Sequence, residues 1–305
     1  MKKIAHLAGV LFAIIFGLTF MFSKIALNYI SPMGLIAYRF LLAFLVFEIL
    51  RLFKIIHIAF TKPQIWMLVK VSLMEPVLYF IFETFGLEYT TSGEAGMMIA
   101  LIPLFVTILS FLFLKEAMRG LQVIFIIISV GGVLFIQLMN NEAGSNNSFL
   151  GLLLLFLAVV SAAFFNIFSR KASKTFKPVE ITYFMMLAGA VSFNVIYLAQ
   201  LAISGHVGAY FTNLNHLEII GPIFYLGVVA SIGGYFLVNV ALKHLPAHVA
   251  AIYSNLSTIV ALVVGATILQ EQIYYYHYIG AALIILGVYG TTMMNVRSTK
   301  KEDSQ

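Results

Sequence analysis

Residues 87–116 read LEYTTSGEAGMMIALIPLFVTILSFLFLKE, and residues 242–271 read LKHLPAHVAAIYSNLSTIVALVVGATILQE. The two stretches align without a gap at a constant spacing of 155 positions, and each ends in a glutamate, Glu116 or Glu271. A repeat of half the chain is too long for a solenoid unit, whose period is about 20–50 residues. The register therefore predicts a protein built from two similar halves. Other identical pairs in this register are Leu87/Leu242, Ala95/Ala250, Leu114/Leu269 and Gly132/Gly287.

The composition indicates a membrane protein. The 305 residues are 62% hydrophobic and 10% charged, whereas soluble domains carry about 25% charged residues. Too little polar surface is available to cover a water-soluble globule of this length. The net charge of +6 does not indicate nucleic-acid binding, because the basic residues cluster in loops on one side of the predicted membrane. The absence of cysteine excludes disulfides, thiol nucleophiles and cysteine-ligated metals.

Apolar windows of about 20 residues recur along the whole chain, and each is long enough to cross a bilayer as a helix. We predict ten such spans joined by short loops. The N-terminal basic residues lead directly into the first span, which we interpret as a retained helix because no small-residue cleavage site follows it. The spans are 4–24, 33–53, 64–86, 94–114, 119–139, 149–169, 179–202, 217–240, 247–269 and 274–296.

The distribution of basic residues sets the expected orientation. With a cytoplasmic N-terminus, 15 of the 18 lysines and arginines fall in inside segments. The other three, Lys24, Arg39 and Lys70, lie at or within spans. Because cytoplasmic loops carry an excess of Lys and Arg, this pattern supports ten spans with both termini cytoplasmic.

Five spans in each half is an odd number, so the halves enter the membrane with opposite orientations. The first repeat is expected at 1–140, the second at 149–296, and a polar cytoplasmic tail at 297–305. Inverted repeats are typical of secondary transporters, with the substrate site near the midplane between the halves. The sequence thus predicts an all-α polytopic membrane protein whose ten transmembrane helices form two inverted five-helix repeats around a central cavity.

Charges within spans are costly, at about 2.5–3.5 kcal/mol on insertion scales, and therefore mark candidate sites. The third span carries Glu75, Tyr79 and Glu83 at a spacing of four, which places them on one helix face. Pro76 should kink the helix beside Glu75. We expect Arg39 of the second span to pair with Glu83, as a structural ion pair or a substrate contact, and Glu75 to face a water-filled cavity.

Neutral polar side chains supply the candidates in the second half. Each can line the cavity or simply pack in the interior, and both readings stay open for these residues. They are Tyr183, Asn239, Tyr253 and Asn255. A further group comprises residues at helix ends or helix breaks, expected to be structural or to act in gating. They are Glu116, Glu271, Pro76 and Pro103.

Enzyme motifs are missing from the sequence. No HExxH, GxSxG or Walker motif occurs, and the only aspartate is Asp303 in the tail. The seven histidines lie near span ends. We therefore expect no catalysis, no cofactor, no metal site and no ATP-driven pumping.

An ordered set of motifs runs through both halves. It comprises Phe16-Gly17, Lys24, Ser31-Pro32, Arg39, Gly86-Leu87-Glu88-Tyr89-Thr90, Pro103, Glu116, Gly131-Gly132, Arg170-Lys171, Pro178, Glu271 and Gly287. In this order the chain resembles the drug/metabolite transporter superfamily, in its EamA branch, over nearly its whole length. The resemblance implies a ten-helix exporter of amino acids, other metabolites or drugs in a bacterial cytoplasmic membrane. The chain departs from it at Phe16, where many members have tryptophan.

The resulting hypothesis is a secondary transporter that works by alternating access and moves a small polar or amphipathic metabolite outward. Glu75 would carry a coupling proton or bind an amine of the substrate. The expected partners are a small-molecule substrate and the lipid bilayer, without nucleic acid, and the protein would be a monomer or homodimer. The alternatives are a passive channel and a membrane sensor that does not transport.

Overall fold

The computed structural model describes residues 2–60, 62–89, 98–116, 118, 120–140, 149–212, 214, 217–268 and 274–302. Every regular element within these ranges is helical. Ten longer helical segments follow one another in the described ranges, and we number them α1 to α10; a four-residue helix, Ala209–Thr212, lies between the seventh and the eighth. They are α1 Lys2–Leu27, α2 Pro32–Leu52, α3 62–88, α4 Ile102–Leu114, α5 Gly120–Asn140, α6 Phe149–Ala172, α7 Pro178–Ile203, α8 Leu217–His244, α9 247–267 and α10 Tyr275–Glu302.

Six of the described helices, α1, α2, α3, α6, α7 and α8, are long and apolar enough to cross a membrane, and shorter apolar helices occur in α4, α5 and α9. The apolar windows of the sequence form helices because a backbone in lipid must satisfy its own hydrogen bonds, and a helix does so within one segment. The predicted class, an all-α polytopic membrane protein, is confirmed.

One boundary differs from the predicted organisation. Helix α10 continues to Glu302, so residues 297–302 of the predicted tail are helical, and residues 303–305 lie outside the described ranges. No glycine or proline follows Gly290 to end this helix. The start of the predicted fourth span, residues 94–97, lies outside the described residues; residues 98 and 99 are helical, and the segment numbered α4 begins at Ile102 after a turn at 100–101.

The helices of the two halves pack in equivalent pairs. Helix α1 packs against α8 and α9, and its counterpart α6 packs against α3 and α4. Likewise α2 contacts α8 as α7 contacts α3, while α2 packs on α7 and α5 packs on α10. These exchanged contacts are the pattern of a pseudo-two-fold relation between repeats. They place α2, α3, α7 and α8 at the centre of the molecule.

Small residues allow the closest helix contacts. A Cβ built on Gly227 of α8 would lie 2.9 Å from the carbonyl oxygen of Arg39 in α2. A Cβ on Gly132 of α5 would lie 2.8 Å from the carbonyl oxygen of Gly280 in α10. Both distances are too short for a side chain, so glycine permits α8 to approach the polar residues of α2 directly.

Candidate functional site

Helix α3 is broken at its centre. It consists of Lys62–Ser72, a wider π-type stretch at Leu73–Leu78, and Tyr79–Glu88. Glu75 has φ −147° and ψ 123°, which is extended rather than helical backbone. Pro76 has no N–H to donate and crowds the preceding turn, so the helix cannot run regularly through this point. The break turns the Glu75 side chain into the protein interior, where only 9% of its surface is exposed.

Helix α8, the equivalent helix of the second repeat, is also irregular. Its π-type stretch covers Tyr225–Gly234, and the Ser231 hydroxyl donates a 2.8 Å hydrogen bond to the Leu226 carbonyl, five residues back. Wider turns of this kind occur often at functional sites. Interrupted helices at corresponding positions of two repeats are the best sequence-level pointer to a transporter's binding site.

The two irregular helices meet through a hydrogen bond. The Tyr235 hydroxyl, which follows the irregular part of α8, donates to Glu75 Oε1 at 2.7 Å. Tyr235 is 3% exposed, and its ring packs edge-on against Phe16 of α1 and Phe165 of α6, with centroid distances of 5.4 and 6.2 Å. The Glu75–Tyr235 contact therefore lies in the interior, where the helices of both repeats come together.

Arg39 of α2 brings a positive charge to the same region. Its Nε donates a 2.6 Å hydrogen bond to Ser231 Oγ, and its guanidinium lies 5.5 and 5.2 Å from the ring centroids of Phe40 and Phe80. The side chain is buried. Planar contact with aromatic rings suits guanidinium rather than ammonium. Arg39 also lies within electrostatic range of the Glu75 side chain.

The expected Arg39–Glu83 ion pair is not formed. Glu83 instead accepts a 3.1 Å hydrogen bond from the Tyr79 hydroxyl on its own helix, and no ion pair within 4 Å joins these two described residues, Glu83 and Arg39. Similar depth in the membrane places two residues at one level but does not set which way each helix face points. The Ser231 contact occupies Arg39 Nε instead. Arg39, Glu75, Tyr79, Glu83 and Tyr235 nevertheless form one electrostatic group, which we call the central cluster.

Two tyrosine candidates lie elsewhere. We call the end of the bundle where α2, α4 and α6 terminate the inner end, after the predicted orientation. There the Tyr183 hydroxyl donates a short hydrogen bond to Glu48 Oε1, beside the ring of Phe60. The Tyr253 hydroxyl lies 2.7 Å from His6 Nδ1 and links α9 to α1. Neither contact involves the central cluster.

Two asparagine candidates join helices within the second repeat and across to α5. Asn239 accepts a 2.5 Å hydrogen bond from Ser169 and donates a 3.0 Å bond to Thr182 Oγ1, which ties α8 to α6 and α7. Asn255 donates a 3.1 Å hydrogen bond to Ser129 Oγ of α5. Both asparagines are buried with partners in place, as an intramembrane amide requires.

Glu116 organises a junction of four helices at the inner end. Its Oε1 accepts a 3.0 Å hydrogen bond from Arg170 Nε, and its Oε2 accepts a 2.8 Å bond from the backbone N–H of Ala247, at the start of α9. Arg170 Nη1 in turn donates 2.8 Å bonds to the carbonyls of Leu242 and Lys243 at the end of α8. A carboxylate at the start of one helix and a guanidinium at the end of another are both favourable to the helix dipoles.

The ionisation of Glu116 follows from this environment. Burial alone would raise the pKa of its carboxyl, but the His248 ring, the Ala247 N–H and the Arg170 guanidinium together hold that pKa below its ordinary value. His248 Nδ1 lies 3.7 Å from Oε2, and the ring is only 1% exposed. Glu116 is therefore a carboxylate at neutral pH, and the junction is a charged one.

Of the remaining two helix-end candidates, Pro103 is described by the structure and Glu271 is not. Pro103 lies in the first turn of α4, and its carbonyl accepts a 2.7 Å hydrogen bond from the Thr107 hydroxyl. Proline is well tolerated at a helix start because its missing N–H would be unpaired there anyway. Pro103 thus begins a helix. Glu271 lies outside the described residues.

Sequence reasoning did not single out two residues of α8 at this site, Tyr235 of the central cluster and Ser231, which binds Arg39. Tyr235 was one of many neutral polar residues in the second-half spans, and Ser231 belonged to a small-residue pattern typical of helix packing. Neither the hydropathy of the span nor the depth of the residue in it distinguished Tyr235 and Ser231 from the other polar residues of the second half. Only the irregular turns of α8, which aim Ser231 at Arg39 and Tyr235 at Glu75, distinguish them.

Two packed five-helix repeats, with interrupted third helices that meet at a buried acid, define a multi-pass membrane protein of the solute-transporter class. The chain belongs to the EamA-like transporter family, whose family model matches residues 3–138 and 149–293, once in each half. The resemblance read from the ordered motifs is thereby confirmed.

Relatives support the same class. The "Uncharacterized transporter YcxC" of Bacillus subtilis is 35% identical over 297 residues, covering 97% of this chain and 95% of the relative. The "Probable amino-acid metabolite efflux pump" of Escherichia coli K12 is 24% identical over 283 residues, covering 92% of each. A solved crystal structure shares the fold with a TM-score of 0.78 at 16% identity, over 97% of this chain and 99% of the other. Transport of small molecules across a membrane is the function of this class.

Proposed function

We propose that this protein is a secondary transporter that exports a small polar or amphipathic metabolite, of the amino-acid type, by alternating access. The observation that carries the proposal is the hydrogen bond from Tyr235 to Glu75, formed where the interrupted helices α3 and α8 meet. Secondary transporters place substrate and coupling-ion sites at such helix breaks between repeats.

The charges of the central cluster match a zwitterion. A buried carboxylate needs a proton or a cationic partner, because leaving it unpaired in a membrane interior is costly. Glu75 can therefore exchange between a proton and the ammonium group of a substrate. Arg39 offers a guanidinium in the same cluster for a substrate carboxylate. The E. coli relative is named a probable amino-acid metabolite efflux pump, which is consistent with a substrate of this class.

Access to the cluster requires helix movement, because Arg39, Glu75 and Tyr235 are all buried in this conformation. Toward the opposite end from Glu116, the Tyr38 hydroxyl donates to the Tyr210 carbonyl at 2.7 Å. Tyr210 donates in turn to Asn194 Oδ1 at 2.6 Å. In our proposal this tyrosine layer closes the outer side.

The Glu116–Arg170 junction closes the inner side. It joins the ends of α4, α6 and α8 to the start of α9, so parting these helices breaks it. Alternating access then means that either the tyrosine layer or the junction opens, while the other stays closed. Both termini face the cytoplasm in this scheme, and reporters fused to the two tails should report the same compartment.

Counterflow in proteoliposomes tests the proposal. Purified wild type loaded with unlabelled amino acids should accumulate labelled substrate in a saturable manner and respond to a pH gradient. Glu75→Gln keeps the side-chain volume and should lose the response to the gradient. Glu48→Gln, which removes an acid on α2 outside the central cluster, is the matched control and should behave as wild type.

Three outcomes would refute the scheme. Unchanged gradient-driven transport by Glu75→Gln would remove the proposed role of that carboxyl. Flux that does not saturate and cannot be driven uphill would indicate a passive channel, and ligand binding without counterflow would indicate a sensor.

A further inference from the structure

A groove separate from the central cluster lies between the inner ends of α3 and α6. It encloses about 400 Å³. Helix α3 contributes Trp66 and Lys70 to its wall, helix α6 contributes Lys171, and the following turn contributes Thr175. Transport by the central cluster does not use these side chains.

The groove is positively charged and uncompensated. The side chains of Lys70 and Lys171 both line it, and none of the described residues in its wall is acidic. Neither lysine ammonium group takes part in an ion pair or a side-chain hydrogen bond within the described part of the chain. Lys171 Nζ instead lies 5.9 Å from the ring centroid of Phe113 on α4. Two cations and a hydroxyl, from Thr175, are thus available to a negatively charged oxygen-rich group.

The surroundings of the groove are apolar and face outward. Trp66 is 65% exposed, as expected of an aromatic residue at the membrane–water interface. Phe113, at the inner end of α4 beside Lys171, is also exposed, and so is Leu73, which lies deeper along α3 than Trp66 and Lys70. A ligand in the groove would therefore meet positive charge at one end and hydrocarbon-compatible surface at the other.

We propose that this groove binds the headgroup of an anionic phospholipid. The phosphate would lie between Lys70 and Lys171 within reach of the Thr175 hydroxyl, and an acyl chain would follow the exposed side chains of Leu73 and Phe113. Basic pockets between transmembrane helices on the cytoplasmic side bind such headgroups through this combination of charge and apolar surface. A soluble phosphate would satisfy the lysines but leave the apolar surface uncovered.

Lipid binding to delipidated protein in detergent tests the site. Phosphatidylglycerol should raise the melting temperature of wild type and remain bound in native mass spectrometry, whereas phosphatidylcholine should do neither. The double variant Lys70→Gln/Lys171→Gln should weaken the apparent phosphatidylglycerol affinity at least tenfold. The control Lys54→Gln/Lys174→Gln removes two exposed charges outside the groove and should leave the affinity unchanged.

Three results would overturn the site. The groove variant could retain phosphatidylglycerol as well as wild type does, or the groove and control variants could lose affinity equally. Inorganic phosphate could also raise the melting temperature of wild type as much as the lipid does. If the double variant does not fold, Lys171→Gln alone should lose affinity and the charge-preserving Lys171→Arg should restore it. Failure of that rescue would also count against the site. None of these readouts depends on transport, so they stand apart from the tests of the proposed function.

Discussion

The Tyr235 hydroxyl donates to Glu75 Oε1 across 2.7 Å and joins two residues that are 160 positions apart in the chain. Each residue lies in or beside the irregular part of the third helix of its repeat. The acid comes from the first repeat and the phenol from the second. Any movement that separates the two repeats at this level must break the hydrogen bond. The bond therefore couples the protonation state of Glu75 to the packing of the helices.

Replacing Tyr235 with phenylalanine should isolate the effect of that bond. The ring keeps its contacts with Phe16 and Phe165, but Glu75 loses a hydrogen-bond donor, and such a bond contributes about 0.5–1.5 kcal/mol net. We expect the substrate exchange rate to fall about tenfold, because 1.4 kcal/mol corresponds to one factor of ten. Counterflow in proteoliposomes measures it.

The control for this variant is Tyr225→Phe on the same helix, which removes a 2.9 Å hydrogen bond to the Ile15 carbonyl and touches no acid. Its exchange rate should stay close to wild type. Equal losses in both variants would mean that tyrosine hydroxyls of α8 act through helix packing and that the Glu75 contact has no special role.

Loss of Arg170 should loosen the inner end. Arg170→Gln removes the ion pair to Glu116 and the hydrogen bonds to Leu242 and Lys243, each of which contributes about 1 kcal/mol or more. The chain contains no cysteine, so a single reporter at the buried Ala250 of α9 can be labelled without background. We expect Ala250→Cys to react with a thiol reagent at least tenfold faster when combined with Arg170→Gln.

Arg51→Gln provides the comparison for that labelling experiment. It removes an exposed arginine at the same end, paired only with Glu48 three residues before it. Labelling of Ala250→Cys should not change in this background. A labelling rate unaffected by Arg170→Gln would show that the junction does not hold the inner end closed.

The pH dependence of the junction has a definite sign. The pKa of Glu116 lies below its ordinary value in the folded protein, so its contribution is complete above the unfolded pKa and is lost as pH falls through the folded pKa. Wild type should therefore exceed Glu116→Gln in melting temperature by a constant margin from pH 8 to about pH 5, since carboxyls in unfolded chains titrate near pH 4.3. The margin should shrink at lower pH. A margin that instead shrinks between pH 8 and pH 6 would contradict an ionised Glu116.

Two adjacent glycines of α5 should respond oppositely to alanine. A Cβ at Gly132 would lie 2.8 Å from the Gly280 carbonyl oxygen of α10, whereas a Cβ at Gly131 would meet nothing within 4 Å. Gly132→Ala should push α5 from α10 and cost about 1–3 kcal/mol, the usual penalty of overpacking. Gly131→Ala should be neutral or slightly stabilising, since alanine favours helix by about 1 kcal/mol over glycine. Thermal melts in detergent compare the two variants. Similar melting temperatures would mean that α5 and α10 do not approach each other closely at Gly132.

The sequence alone determined the class of this protein, the positions of its helical segments and the division into two repeats. These properties depend on hydrophobicity along the chain and on a fixed repeat spacing, both of which are local or periodic. It also singled out Glu75, because an acid beside a proline in an apolar span is costly wherever the helix finally packs. The order of short motifs along the chain was likewise enough to identify the resemblance to the family.

The tertiary structure alone decided the partners of those residues. Depth in a span suggested that Arg39 would meet Glu83, but the rotation of each helix about its axis is set by close packing, as at Gly227, and by the wider turns of α8. Those features turn Ser231 toward Arg39 and Tyr235 toward Glu75. The Glu116 junction likewise joins the ends of four helices that are distant in sequence. A linear pattern specifies which faces are apolar, whereas the contacts between faces arise only when all the helices pack together.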